Sequence, residues 1–283
     1  MKRVVLTLFW ILTASAISSA QSTFYFPQIA DGVQGGGVTW KTTLFITNPA
    51  AVGTASTAVQ IDFTTSTGAA FNLQFDGTGF TVNGNSVTMT ISGGQTRKLV
   101  SRSTGALAVG WAKVTSPGNV TGTALFSEFV NGQLFAEAGV PSSGTSTNQA
   151  IFVDTTAGFT TAVAYANPNA GPAAISLQLL NSDGVGVMPS TGKALAGFQH
   201  TPAFVNDLFP GVPPFTGTMQ ISSAVPVTAI ALRFATTGQF TTLPTISLAS
   251  LINPAVEWLE QRPWLKPLSS FARILGGLQF RLG

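Results

Sequence analysis

Nucleophilic catalysis by a serine needs an imidazole beside the hydroxyl and a carboxylate behind the imidazole. This chain holds a single histidine, His200, in "GFQHTPAF" (197–204), and no G-x-S-x-G elbow accompanies it. The stretch reads as the start of a strand, with His200 exposed or lightly packed. Cysteine is absent, which removes thiolate nucleophiles, disulfides and cysteine-ligated metals together. One imidazole cannot build a histidine-based metal cluster. Calcium needs only oxygen ligands, and "NSDG" (181–184) has part of a calcium-loop spacing. Leu179 stands two before Asn181, however, and no Glu closes the loop. The expectation is therefore no catalytic residue, no metal site and no cofactor; a structural calcium is the one ion with partial ligands.

Carboxylate chemistry needs two acids close enough to hold different protonation states. "IFVDTTAG" (151–158) resembles the strand and loop that carry a catalytic Asp in aspartic proteases, but Thr156 stands where that turn requires Gly. Asp31 in "ADGVQGG" lacks the following Thr. Both acids are expected to shape loops through Asx-type bonds, and an extracellular hydrolase is the disfavoured alternative. Sugar recognition needs an exposed aromatic face with amide partners nearby. Trp40 and Trp111 are the candidates, and Trp111 is the better one because its repeat partner, Thr218, is polar.

Those residues must be held by some scaffold, and the chain ends bound it first. Lys2 and Arg3, then "VVLTLFWILTA", then Ser18-Ser19-Ala20 form a secretory signal peptide over 1–20, too short to span a membrane as a helix. Of thirteen basic residues two lie in this leader and four follow position 250, leaving seven against eight acidic in 21–250. Nucleic acid binding would need a clustered basic face, and none is present. Charged residues make up 8% of the chain, far below the roughly 25% of ordinary domains. Thr, Ser, Asn and Gln must then carry the wet surface.

"TTLFITNPA" (42–50) returns as "TTAVAYANP" (160–168), with Asn48-Pro49 matching Asn167-Pro168 at an offset of 119. "AVQIDFTTSTG" (58–68) matches "AISLQLLNSDG" (174–184) at 116, and "GWAKVTS" (110–116) matches "GTMQISS" (217–223) at 107. "VTGTALF" (120–126) and "VTAIALR" (227–233) follow at the same offset. An offset that only falls is what loop deletions between two copies of one unit would leave. Within each copy apolar residues alternate with polar ones: Val59, Ile61 and Phe63; Phe71, Leu73 and Phe75; Val87, Met89 and Ile91; Ile175, Leu177 and Leu179. Period two is the mark of half-buried strands. Asp76-Gly77, Asn83-Gly84, Asn131-Gly132 and Asp183-Gly184 supply hairpin turns between them. The fold expected is all-β: two tandem antiparallel β-sandwich, immunoglobulin-like domains over 21–144 and 145–250. Each Asn-Pro pair ends a strand, because proline lacks the donor that a continuing ladder needs.

The pattern "FYFPQIADG…TTLFITNPA…GWAKVTS…VTGTALF…FAEAGVP" resembles a tandem-repeat family of all-β units in secreted and cell-surface proteins of soil bacteria. The resemblance covers about 24–244, with the second copy more diverged. It implies an extracellular setting and supplies no catalytic residues.

The last segment, 251–283, is a Pro-broken, partly helical, amphipathic tail. Trp258, Trp264, Phe271 and Arg273 are its candidates for membrane or partner attachment. The function expected is a secreted, non-enzymatic structural or adhesion module at the bacterial cell surface. Its expected partner is an extracellular protein or a polysaccharide, with envelope association through the tail. The alternative is a carbohydrate-binding protein with an exposed Trp platform.

Overall fold

The computed structural model describes residues 21–248. Residues 1–20, the expected signal peptide, and the segment from 249 onward, including Trp258, Trp264, Phe271 and Arg273, lie outside the described residues. Among the described residues the chain is nearly all β, and the single helical turn is α1 (Val205–Leu208).

The N-terminal half contains β1 (Ser22–Gly35), β2 (Val38–Thr47), β3 (Thr57–Thr65), β4 (Phe75–Asp76), β5 (Phe80–Asn83), β6 (Ser86–Ile91), β7 (Thr96–Ser101), β8 (Ala108–Ser116), β9 (Thr121–Val130) and β10 (Gln133–Pro141). One layer runs β5-β6-β3-β8-β1. The other runs β10-β9-β2-β7-β4. Strand β1 serves both: Ser22–Asp31 pairs with β8, and Gly32–Gly35 pairs with β2. Its register slips between Phe26 and Ile29, where Pro27 offers no donor and a bulge bends the strand. Asn131 and Gly132 both take positive φ (51° and 78°), closing β9 onto β10 in a two-residue hairpin.

Between the layers lies a core in which Phe26, Phe63, Phe126, Ile46 and Ile61 are essentially sealed from solvent. Val59, Ile61 and Phe63 point inward and Ala58 and Gln60 outward, as the period demands. Phe71, Leu73 and Phe75 are also buried, yet 71–74 belongs to no ladder. Phe71 N–H bonds Phe63 O on one layer and Phe75 pairs with Ser101 on the other. The segment therefore crosses between layers, and the strand expected there is corrected to an extended plug.

The C-terminal half contains β11 (Ser146–Asp154), β12 (Thr160–Ala166), β13 (Ala173–Asn181), β14 (Thr191–Leu195), β15 (His200–Phe204), β16 (Thr216–Phe234), β17 (Phe240–Leu243) and β18 (Ile246–Ser247). Its layers are β14-β13-β16-β11-β18 and β15-β12-β16-β17. The 19-residue β16 belongs to both. Its first part pairs with β11 and β13, as β8 pairs with β1 and β3; its second part pairs with β12 and β17, as β9 pairs with β2 and β10.

Two apolar clusters result. The second centres on Tyr165, Ile151, Leu177 and Met219; the first also takes in Ala164, Ile230 and Phe240 from the C-terminal half. The layer β15-β12-β16-β17 is apolar on both faces. Val163, Tyr165, Ala229 and Ala231 pack into their own half, while Ala164 and Ile230 pack against the other. Burial on both faces is why "AVAYA" and "TAIAL" read as nearly continuous apolar runs instead of alternating.

Candidate functional site

Asp154 sits at the end of β11 and is tied down from three sides. Thr156 N–H and Oγ1 donate to its Oδ1 at 3.0 and 2.7 Å, an Asx turn, and Arg233 Nε donates to Oδ2 at 2.8 Å. The Arg233 guanidinium lies over the Phe159 ring with its carbon 3.2 Å from the ring centre. Partial burial raises the carboxyl pKa, but the Thr156 and Arg233 bonds outweigh it and hold the group below the usual carboxylate range. Asp154 is a clasp that stays ionised. Asp31 accepts from Ser103 N–H and Oγ, both at 3.1 Å. That bond joins residues far apart in sequence and is not the local Asx turn expected there. Asn181 Oδ1 accepts from the Asp183 and Val185 N–H groups at 3.0 and 2.9 Å, so "NSDG" is a turn closed on itself. Among the described residues no cluster of three or more His, Asp or Glu is placed to hold a metal ion.

His200 is buried, at 3% exposure, which corrects its expected exposed or lightly packed position. It faces the N-terminal half across the seam: its ring Nδ1 lies 3.1 Å from Ser66 Oγ, and its backbone N–H donates to Ser66 O at 3.2 Å. Burial lowers its pKa to about 4, against a smaller opposing contribution from the Pro27 backbone. The ring is therefore neutral at pH 7.

Trp111 is 3% exposed, which corrects its reading as a sugar platform. Its parity on β8 does aim it outward, since Ala112 and Val114 on either side of Lys113 fill the core. What covers it is the turn that carries the chain from β14 in one layer to β15 in the other. Trp111 Nε1 donates to Phe198 O at 2.9 Å, and Tyr25 packs beside it at 6.1 Å. Phe198 holds φ at +63°, a conformation that Gly94 supplies at the matching turn of the N-terminal half. Both turns are closed by a glutamine: Gln95 Oε1 accepts from Ser92 N–H, and Gln199 Oε1 from Ala196 N–H. The β14–β15 turn, His200 and Trp111 together lock the halves.

Trp40 keeps part of its ring open. Its Nε1 donates to Gln34 Oε1 at 2.8 Å, and one face stacks on Phe240 at 5.6 Å and 28°. Phe240 touches Phe234 at 5.3 Å, and Phe234 touches Phe204 at 5.6 Å. Four rings from both halves thus form one chain of contacts. Trp40, Phe234 and Phe204 border a cleft of about 290 Å³ at the seam, lined also by Ala162, Ala164 and Ile230. Reading the strands one half at a time misses this cleft, because it exists only where the halves meet.

A second feature lies on the open face of the layer β5-β6-β3-β8-β1. Thr81, Thr88, Gln60, Thr115 and Thr23 stand opposite one another on five successive strands. At about 4.8 Å per strand the row is roughly 19 Å wide. Beside it run Asn83, Ser86, Asp62, Lys113 and Tyr25 in the same order. Asp62 accepts from Gln60 Nε2 at 2.8 Å and Ser86 Oγ at 2.5 Å. A shallow groove of about 810 Å³ follows the row between Gln21 and Gly79. No helix among the described residues is long and apolar enough to cross a membrane. No protein-family model, curated protein or solved structure matches the chain.

Proposed function

We propose that this chain is an exported, non-enzymatic interaction module of the bacterial cell surface, built from two copies of one β unit. The observation that carries the reading is the hydroxyl and amide row from Thr81 to Thr23, five strands wide on a rigid layer. Such a face offers many neutral donors and acceptors at fixed spacing and almost no net charge. It suits a broad contact with a polysaccharide or an extracellular protein better than a steered encounter. The matched roles of β8 plus β9 and of β16 support duplication, and the leader over 1–20 supports export. Residues 251–283 are the proposed attachment to the envelope.

The test is cell fractionation with the Gln60→Glu/Thr88→Glu double variant and with a chain lacking 251–283. The intact protein is expected in the envelope or outside the cell. The double variant should lose binding to isolated envelope polysaccharide while keeping its melting temperature, and the truncated chain should shift to the medium. A double variant that binds as tightly as the parent overturns the face as the contact surface. Trp40, partly open at the seam, favours one second reading, a carbohydrate binder. Trp40→Ala should then abolish capture on a glycan array, and unchanged capture would refute it.

A further inference from the structure

In the N-terminal half Trp111 is covered by chain that follows its unit, and the C-terminal half presents the matching place open. Thr64 pairs with Trp111 in the first half and Leu180 with Thr218 in the second, both at the offsets of the repeat. On the other side of Thr218 stands Phe152. The row Leu180–Thr218–Phe152 therefore puts two large apolar side chains on an outward face, and Phe152 is 47% exposed. Two more exposed apolar residues flank it: Ile246, next to Ala150 on β11, and Val185, beside the Leu180–Gly186 bridge. Exposed apolar groups gathered in this way mark a surface that another element covers.

The exit of the chain says what the cover is. Ser143, just past β10, bridges Tyr25 on β1, and Ile246 pairs with Ala150 on β11. Tyr25 and Ala150 stand opposite Lys113 and Gln220, which are counterparts in the repeat. "VPSS" (140–143) and "LPTI" (243–246) thus occupy one place in the two units. After Ser143 the chain builds the unit whose β14–β15 turn lies over Trp111. After Ile246 it stays beside β11, where Leu248 N–H donates to Asn148 O at 3.0 Å, and 35 residues follow. Asn253-Pro254 repeats the pair that ends β2 and β12, so a run along β11 stops there and the chain can turn back. Phe152 is six residues, roughly 20 Å, from the start of β11. The eleven residues from Asn253 to Trp264 reach up to about 36 Å. They include Val256, Trp258, Leu259 and Trp264, large apolar groups that suit a row bordered by the neutral Gln178 and Gln220.

We infer that residues 251–264 fold back onto the Leu180–Thr218–Phe152 row and set their tryptophans against Phe152. The inference goes beyond the surface-contact reading: it gives the tail a footing on the body and leaves the residues after Trp264 for the envelope.

The test uses the purified protein, whose lack of cysteine lets one bimane label sit at Gln178→Cys, beside Leu180. Bimane emission is quenched by a tryptophan in contact with it. The label should be quenched, and the double change Trp258→Phe/Trp264→Phe should restore its emission. The same label at Asp62→Cys, the counterpart position in the N-terminal half, should not respond to that change. Phe152→Ser removes about half of a phenylalanine's burial and should raise the undocked share about fivefold, with the β-sheet circular dichroism retained. Emission at Gln178→Cys that ignores both the tryptophans and Phe152→Ser overturns the inference, as does an equal response at Asp62→Cys. A concentration-dependent dimer lost in Phe152→Ser would give the row to a second copy and overturn it too. No envelope is present in these measurements, so their failure is separate from failure of the surface-contact reading in cell fractionation.

Discussion

Acid should unlock the seam through one residue. His200 is neutral and buried in the folded chain, with a pKa of about 4, and returns to about 6.5 when unfolded. A group whose folded pKa is depressed contributes stability above its unfolded value and loses it as pH falls toward the folded one. The window is therefore pH 6.5 down to 4. Linkage over this interval gives about 2 kcal/mol lost between pH 7 and pH 5, and about 3 kcal/mol by pH 4. Glu128 acts in the opposite sense. Burial raises its pKa, so it gains relative stability as pH falls, and the measurement belongs in a Glu128→Gln background. The assay is urea unfolding at half-unit steps from pH 7.5 to 4, comparing that background with the same chain carrying His200→Gln. The histidine chain should lose about 2 kcal/mol more by pH 5 than the glutamine chain. Parallel curves would show that His200 does not titrate across the folding transition, and the argument from its burial would be wrong.

Trp111→Ala removes a sealed side chain and leaves Phe198 O without its donor, so it should cost about 3–5 kcal/mol in denaturant midpoint measurements. It should also speed protease cleavage between Pro141 and Ser146. Phe198→Gly relieves an unfavourable φ and should leave thermal stability unchanged or raised by up to about 1 kcal/mol. In contrast, Gly94→Ala should destabilise by at least about 1 kcal/mol, because a Cβ there would lie 2.6 Å from Val52 Cγ2. Asn167→Ala strands the carbonyls of Gly171 and Ala196, which its amide holds at 2.8 and 3.0 Å. About 1–3 kcal/mol should be lost by calorimetry.

Alternation along β3 and β6 was readable because each strand has one wet face, and the pattern placed Val59, Ile61, Phe63, Val87 and Met89 in the core. Trp111 reads as a platform because its repeat partner, Thr218, is polar, and its strand does aim it outward. What no single strand encodes is the β14–β15 turn from the other half that lies over it. The alanines of β12 were ambiguous for a related reason. Small apolar residues on both parities mean two buried faces, but nothing local says what the second face meets. The Asn-Pro pairs were read for their prolines, whereas Asn48 and Asn167 are the buried members, at 3% and 0% exposure. The Asn48 amide bonds Ile91 O, and the Asn167 amide bonds the β14–β15 turn. A polar residue repeated between an apolar strand and a proline was the available signal. Phe198 had no such signal, since a backbone angle leaves no trace in residue type when the residue is not glycine.

Strand β16 runs unbroken through both layers of its half, whereas β8 and β9 are parted by Pro117–Val120. Opening either layer of the C-terminal half must therefore strain the shared backbone of the other, and amide hydrogens on β13 and β12 should exchange at one common rate. In the N-terminal half the interruption lets β9 and β10 breathe while β8 stays paired. The two halves, alike in pairing, are thus unequal in cooperativity, and the one with the continuous strand is the firmer foundation for the seam.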